Sequence, residues 1–167
     1  MRTFQILTLS LALAAVLGAR QATEVTPADL AAIRKVPDRV ADAVNKGDAK
    51  ALAAVFTEEG DHVTLTRSGV ERGVKGRSVM VKHFLERFSR RPSNFSRTMT
   101  ATITSVQRVN TEAVILNGSW NFTAGVGQEG QKEPPTAEQY IVVLAKQAGQ
   151  WLIVASRHGP AEPRAVE

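Results

Sequence analysis

Residues 138–158, EQYIVVLAKQAGQWLIVASRH, decide the architecture. Two runs rich in β-branched and aromatic residues, Glu138–Lys146 and Gln150–His158, flank Ala148-Gly149 and read as a β-hairpin. Working back from it, residues 112–123 alternate: Val114, Leu116, Trp120 and Phe122 share one face, and Asn117, Ser119, Asn121 and Thr123 the other. Residues 99–109 form a further strand ahead of it. No helical pattern separates these strands, so the sheet is an antiparallel meander and the class is α+β, not βαβ.

The helices lie upstream. Thr26-Pro27-Ala28-Asp29 is a helix start, with Thr as N-cap, Pro in the first turn and an acid behind it. Leu30, Ile33, Val40 and Val44 follow near helical spacing, and Pro37 is expected to kink or restart the helix. Gly47 suits a left-handed cap, and Asp48 caps a second short helix over 49–56, with Leu52, Val55 and Phe56 inward. Residues 61–66 (DHVTLT) alternate as a strand, Arg67-Ser68-Gly69 turns the chain, and 70–74 pair back. A third helix spans 77–90, with Met80, Phe84, Leu85 and Phe88 on one side. A curved antiparallel sheet wrapped around three helices leaves a concave side to fill, and what the helices leave open is a pocket.

The 167-residue chain suits one domain, and 43% hydrophobic with 22% charged residues argues against disorder. The absence of cysteine excludes disulfides, thiolate metal sites, a Cys nucleophile and lipid attachment through cysteine. Arg2 followed by the uncharged run at 6–18 (ILTLSLALAAVLG) and small residues at Gly18, Ala19 and Ala22 reads as a secretory signal. The run is short of the ~20 apolar residues that span a bilayer. The expected organisation is a signal peptide over 1–22, a domain over 23–160 and a disordered tail over 161–167, fraying from Gly159. The product is then exported, periplasmic or secreted, with no stable membrane insertion after processing. Loss of residues 1–22 removes Arg2 and Arg20 and lowers the formal charge from +5 to +3. The one basic cluster, Arg87, Arg90, Arg91 and Arg97, lacks the breadth of a nucleic-acid surface and reads as a solvated helix end.

Two tempting motifs fail on context. Residues 125–130 match GxGxxG, but Pro134-Pro135 follow where that fingerprint needs a helix, so the stretch reads as a mobile hairpin loop and no dinucleotide is expected. His62, His83 and His158 have no metal-ligand spacing, so neither metal nor cofactor is expected.

The run Val40–Asp48 (VADAVNKGD), continuing to Leu52 and Phe56, resembles the opening of the nuclear transport factor 2-like superfamily, shared by SnoaL-like and ketosteroid isomerase-like members. Phe56–Val63 (FTEEGDHV), then Gly73, Gly76-Arg77, His83 and the closing Gly149–Val154 (GQWLIV), are similar to its SgcJ/EcaC group. The resemblance covers nearly all of the domain and implies a cone-shaped fold. It also marks Asp61 and His83, which match a recurrent acid and a helix histidine of that group, as a candidate catalytic pair. The ketosteroid isomerase constellation is missing: Val40 stands where those enzymes carry Tyr, Thr64–Thr66 where they carry the catalytic Asp, and Glu138 is only near the second acid's position. Trp120, Tyr140 and Arg157 are the expected ligand-binding residues, a flat apolar wall with polar handles and a cation for a carboxylate or enolate.

The expected function is an exported domain whose apolar pocket binds a small apolar molecule. The alternatives are a cofactor-independent acid–base isomerase, cyclase or lyase acting on a small carbonyl compound, and a dimeric structural interaction domain. A homodimer through the sheet is expected under each, because it covers exposed strand edges or faces.

Overall fold

The computed structural model describes residues 25–66 and 71–160. The segment expected to be an export signal, the turn at 67–69 and the tail at 161–167 lie outside the described residues. The elements run α1 (Pro27–Lys46), α2 (Ala49–Ala54), β1 (Phe56–Leu65), β2 (Glu71–Lys75), α3 (Arg77–Ser89), β3 (Met99–Arg108), β4 (Ala113–Phe122), β5 (Gly125–Val126), β6 (Lys132–Glu133), β7 (Thr136–Gln147) and β8 (Gln150–Pro160).

Local chemistry fixes the helices. Thr26 Oγ1 accepts the Asp29 N–H at 3.0 Å at the start of α1. At its end Gly47 adopts φ 66°, Gly47 N–H donates to Val44 O, and Asp48 N–H donates to Ala43 O, a Schellman closure. Asp48 then caps α2 through the Ala51 N–H at 2.9 Å. Two expectations change here. Helix α1 runs through Pro37 without restarting, because burying the Pro37 ring in the core offsets the one backbone bond it forgoes. Helix α2 stops at Ala54, and Phe56 already belongs to β1. On α3, Met80 and Phe84 are buried while Leu85 is half exposed, so the inward stripe is narrower than expected.

The six long strands form one sheet in the order β2-β1-β8-β7-β4-β3, and β5 and β6 form a small separate ribbon. Neighbours pair antiparallel except β1 and β8, which run parallel. The β7–β8 turn uses Ala148 at φ 47° and Gly149 at φ 78°, the two left-handed positions of a tight hairpin. Register shifts between Phe56 and Asp61, Ile103 and Ser105, and Val143 and Leu144 bend the sheet. Its concave face carries Val114, Leu116, Val142 and Leu144, packed in one core with Ile33 and Val36 of α1 and Met80 and Phe84 of α3. Strand β8 continues through Gly159 and Pro160, paired with Gln139 and Glu138, where fraying was expected.

Two polar ties lock the helices to the sheet. The Asn45 side chain donates to Met99 O at 2.8 Å and accepts the Met99 N–H at 2.7 Å, completing the start of β3. Asp29 accepts Trp151 Nε1–H at 2.9 Å and pairs with Lys146 at 2.8 Å, and these contacts hold its carboxyl well below the usual range.

Candidate functional site

Between the sheet's concave face and the helices lies a cavity of about 250 Å³, at the small end for ligand sites. Five of the chain's six phenylalanines, Phe56, Phe84, Phe88, Phe95 and Phe122, line it together with Trp120. Its polar wall comes from β1, β7 and β8, which present His62, Glu138, Ser156 and His158. The pairing brings these together: His62 stands beside Ser156, Thr64 beside His158, and Glu138 beside Trp120.

The buried His158 is held at both ends. Its Nδ1 lies 2.8 Å from Glu138 Oε2 and its Nε2 lies 2.8 Å from Thr64 Oγ1. A carboxylate only accepts, so Nδ1–H donates to Glu138, and in the neutral ring Nε2 accepts from the Thr64 hydroxyl. Burial pushes the Glu138 carboxyl up, but the His158 hydrogen bond and the nearby positive charges outweigh it and hold the group below its ordinary value.

His62 is the opposite case. Its ring stands edge-on to Phe56 and Phe84 and 5.1 Å from the His158 ring. Both of its ring nitrogens are buried with no hydrogen-bond partner among the described residues. Burial, then the charges of His158 and Arg87, push its pKa down to about 3, so the ring is neutral across the neutral range. Native interiors satisfy nearly all such atoms, which makes His62 a candidate site residue on this cavity wall.

One wall is built by the segment after α3. Arg97 donates to Thr123 O at 3.0 Å, to Pro134 O at 3.2 Å and to Thr136 Oγ1 at 2.6 Å, pairs with Glu133, and lies over the Phe122 ring. Ser96 bonds both ways to Val126. These contacts pin the β5–β6 ribbon, the stretch expected to be a mobile loop, so that Gly127 and Gln128 line the cavity. Arg87 and Arg91 also reach the cavity; of the basic cluster read as a solvated helix end, only Arg90, paired with Glu86, keeps that role alone.

The residues singled out from sequence fall in different places. Trp120 lines the cavity. Tyr140 lies behind it, with the two rings stacked at 4.2 Å. Its hydroxyl donates to Thr102 O at 3.3 Å, and burial pushes its pKa up to about 12. Asp61 and Arg157 are brought together on the other face of the sheet, where Arg157 Nη2 lies 2.5 Å from Asp61 Oδ2. His83 sits on α3 with its ring edge-on to Phe84. Neither Asp61, Arg157 nor His83 is among the residues lining the cavity. His62, Glu138 and His158 were not selected from sequence as site residues, although His62 and Thr64 alternate on β1 and Ser156 and His158 alternate on β8. Among the described residues no group of three or more His, Cys, Asp or Glu converges as a metal site, and no helix is long and apolar enough to cross a membrane.

The comparisons agree with this architecture. A SnoaL-like domain model matches residues 26–157. A ketosteroid isomerase-like protein of Erwinia carotovora atroseptica shares 19% identity at TM-score 0.65, over 83% of this chain and 100% of that one. An NTF-2 like protein of unknown function from Shewanella oneidensis shares 14% identity at TM-score 0.61, over 80% and 99%. A domain of unknown function with a cystatin-like fold from Nostoc punctiforme shares 20% identity at TM-score 0.67, over 83% and 81%. At these identities the likeness is one of fold. No curated protein matches the chain.

Proposed function

The chain belongs to the SnoaL-like domain family of the nuclear transport factor 2-like superfamily, and we propose that it is an exported small-molecule-binding cone for a flat, largely apolar compound bearing one polar oxygen. The observation that carries this reading is His62: two buried ring nitrogens without a partner among the described residues, on the wall of an aromatic cavity. The χ2 torsion of histidine is soft, so a small rotation aims a ring N–H at a ligand oxygen entering the cavity. The bound molecule then lies against the face of Trp120, and its oxygen satisfies the imidazole. The signal-like residues 1–22 support an extracytoplasmic site of action.

The neutral aryl ketone 2-acetonaphthone is a suitable probe. It is expected to quench tryptophan fluorescence saturably, at one molecule per chain, and to raise the melting temperature. In Trp120→Phe the quenching disappears while the thermal shift stays, because Trp151 is tied to Asp29 outside the cavity. A linear, unsaturable quench with no thermal shift rejects the binding reading.

The chain Thr64–His158–Glu138, beside His62, favours a second reading in which the cavity also moves a proton. A carboxylate that fixes one imidazole nitrogen sets the ring's tautomer and orientation. Glu138→Leu leaves the buried His158 Nδ1–H without its acceptor, and the expected loss is about 1–3 kcal/mol in urea unfolding, smaller in Glu138→Gln. If the second reading holds, wild-type protein in D2O speeds deuterium uptake at the probe's methyl group and Glu138→Leu abolishes that acceleration. Uptake at the uncatalysed rate with bound probe leaves only the binding function.

A further inference from the structure

The acids on the cavity wall are already engaged. Glu133 pairs with Arg97 and Glu138 with His158. Two cations are left. Arg87 on α3 and Arg91, just past the helix's Arg90 cap, both line the cavity. Neither forms an ion pair with a described residue. The Arg91 guanidinium lies between two phenyl rings, 4.3 Å from the Phe88 centroid and 4.5 Å from that of Phe95. Its Nε is buried with no hydrogen-bond partner among the described residues. Burial, then repulsion from Arg87, lowers the Arg91 pKa, and the Arg87 charge is also felt at His62 and Glu138. Two positive charges therefore line an aromatic cavity whose acids pair with other partners.

We propose that the ligand of this cavity is an anion, a carboxylate conjugated to a flat apolar body, with the carboxylate held by Arg87 and Arg91 and the body laid toward Trp120 and His62. The proposal rests on the binding function argued above and names the class of molecule. A guanidinium presents a planar fork that matches a carboxylate through two parallel hydrogen bonds, and Arg91 is already oriented by the rings that sandwich it. A carboxylate there offsets the repulsion between the two arginines.

The test compares 2-naphthoate with 2-acetonaphthone, which have similar shape and differ in charge, by quenching of Trp120 in the full chain. Naphthoate is expected to bind at least about tenfold more tightly, and the ratio is expected to shrink as KCl rises, as charge screening requires. In Arg87→Gln, a change at an exposed side chain, the ratio is expected to fall to about threefold or less. Arg91→Lys keeps the charge but removes the planar fork, and it too is expected to narrow the ratio. Equal affinities in wild type, or a naphthoate preference unchanged in Arg87→Gln and Arg91→Lys, overturns the anion assignment while the ketone still reports a binding cavity. Failure of both probes to bind removes the assignment together with the binding function beneath it.

Discussion

His62→Leu is expected to weaken binding of 2-acetonaphthone by about 10–100-fold and at the same time to stabilise the empty protein. The two effects share one cause. In the wild type both imidazole nitrogens are buried with no hydrogen-bond partner among the described residues, a state that leucine abolishes without opening a large void. At pH 7 the expected gain is about 1–2 kcal/mol. Acid enlarges the difference. The folded pKa of His62 is about 3, below the ordinary value of about 6.5 that holds in the unfolded chain. Between those two values the unfolded chain binds a proton that the folded protein refuses. Wild-type stability is therefore lost as the pH falls through this window, by up to about 1.4 kcal/mol per pH unit from this group. The variant escapes that loss, so urea midpoints of the two proteins diverge from pH 7 to pH 4. Parallel pH profiles, or a less stable variant, contradict the description of His62 as a destabilised, ligand-seeking group.

Gly118→Ala is expected to be the most damaging single methyl in the sheet. Gly118 lies mid-strand in β4, opposite Tyr140 on β7 and Ile103 on β3. A Cβ there would meet Thr102 O at 2.1 Å and the Tyr140 Cζ and hydroxyl at 2.4 Å. One of those atoms is backbone in a paired strand, and the other belongs to a ring with 1% exposure, so neither can yield without breaking ladder bonds or the core. The missing side chain is the slot through which the Tyr140 hydroxyl reaches Thr102 O, and Tyr140 in turn backs Trp120 on the cavity wall. Overpacking at such a site is expected to cost about 3 kcal/mol or more and to lower the melting temperature by roughly 6–12 °C. Probe binding should weaken as well, because the Trp120 face shifts. A drop of less than about 3 °C contradicts the packing argument.

Much of the frame was legible because local rules govern it. Thr26, Gly47 and Asp48 cap the helices as their side chains and conformations dictate, and Ala148-Gly149 makes the tight turn between β7 and β8. Trp120 could be placed inward because β4 alternates without interruption as far as the cavity. The site was harder to read for a reason seen in β8. Counting by two from Trp151 and Ile153 puts Ala155 and Arg157 inward. The register shift opposite Val143–Leu144 inserts Val154 and reverses the phase, so Ser156 and His158 face the cavity and Arg157 joins Asp61 outside. A similar shift separates Phe56 from Asp61 on β1, ahead of the point where His62 turns inward. Nothing in residue composition marks either irregularity. The arginines lining the cavity were hidden for another reason: a helix end rich in Arg looks the same whether solvent or a cavity lies beyond it. Only the return of β5–β6 over residues 96 and 97 encloses it.

The central claim is that the orphaned His62 imidazole meets the ligand. Ring 15N spectra of the three histidines, recorded during titration with 2-acetonaphthone, test it most directly. The account predicts that a His62 ring nitrogen shifts on saturation as it gains a hydrogen bond, while the His158 nitrogens stay near their Glu138- and Thr64-bound positions. A saturated complex in which the His62 signals do not move would contradict it.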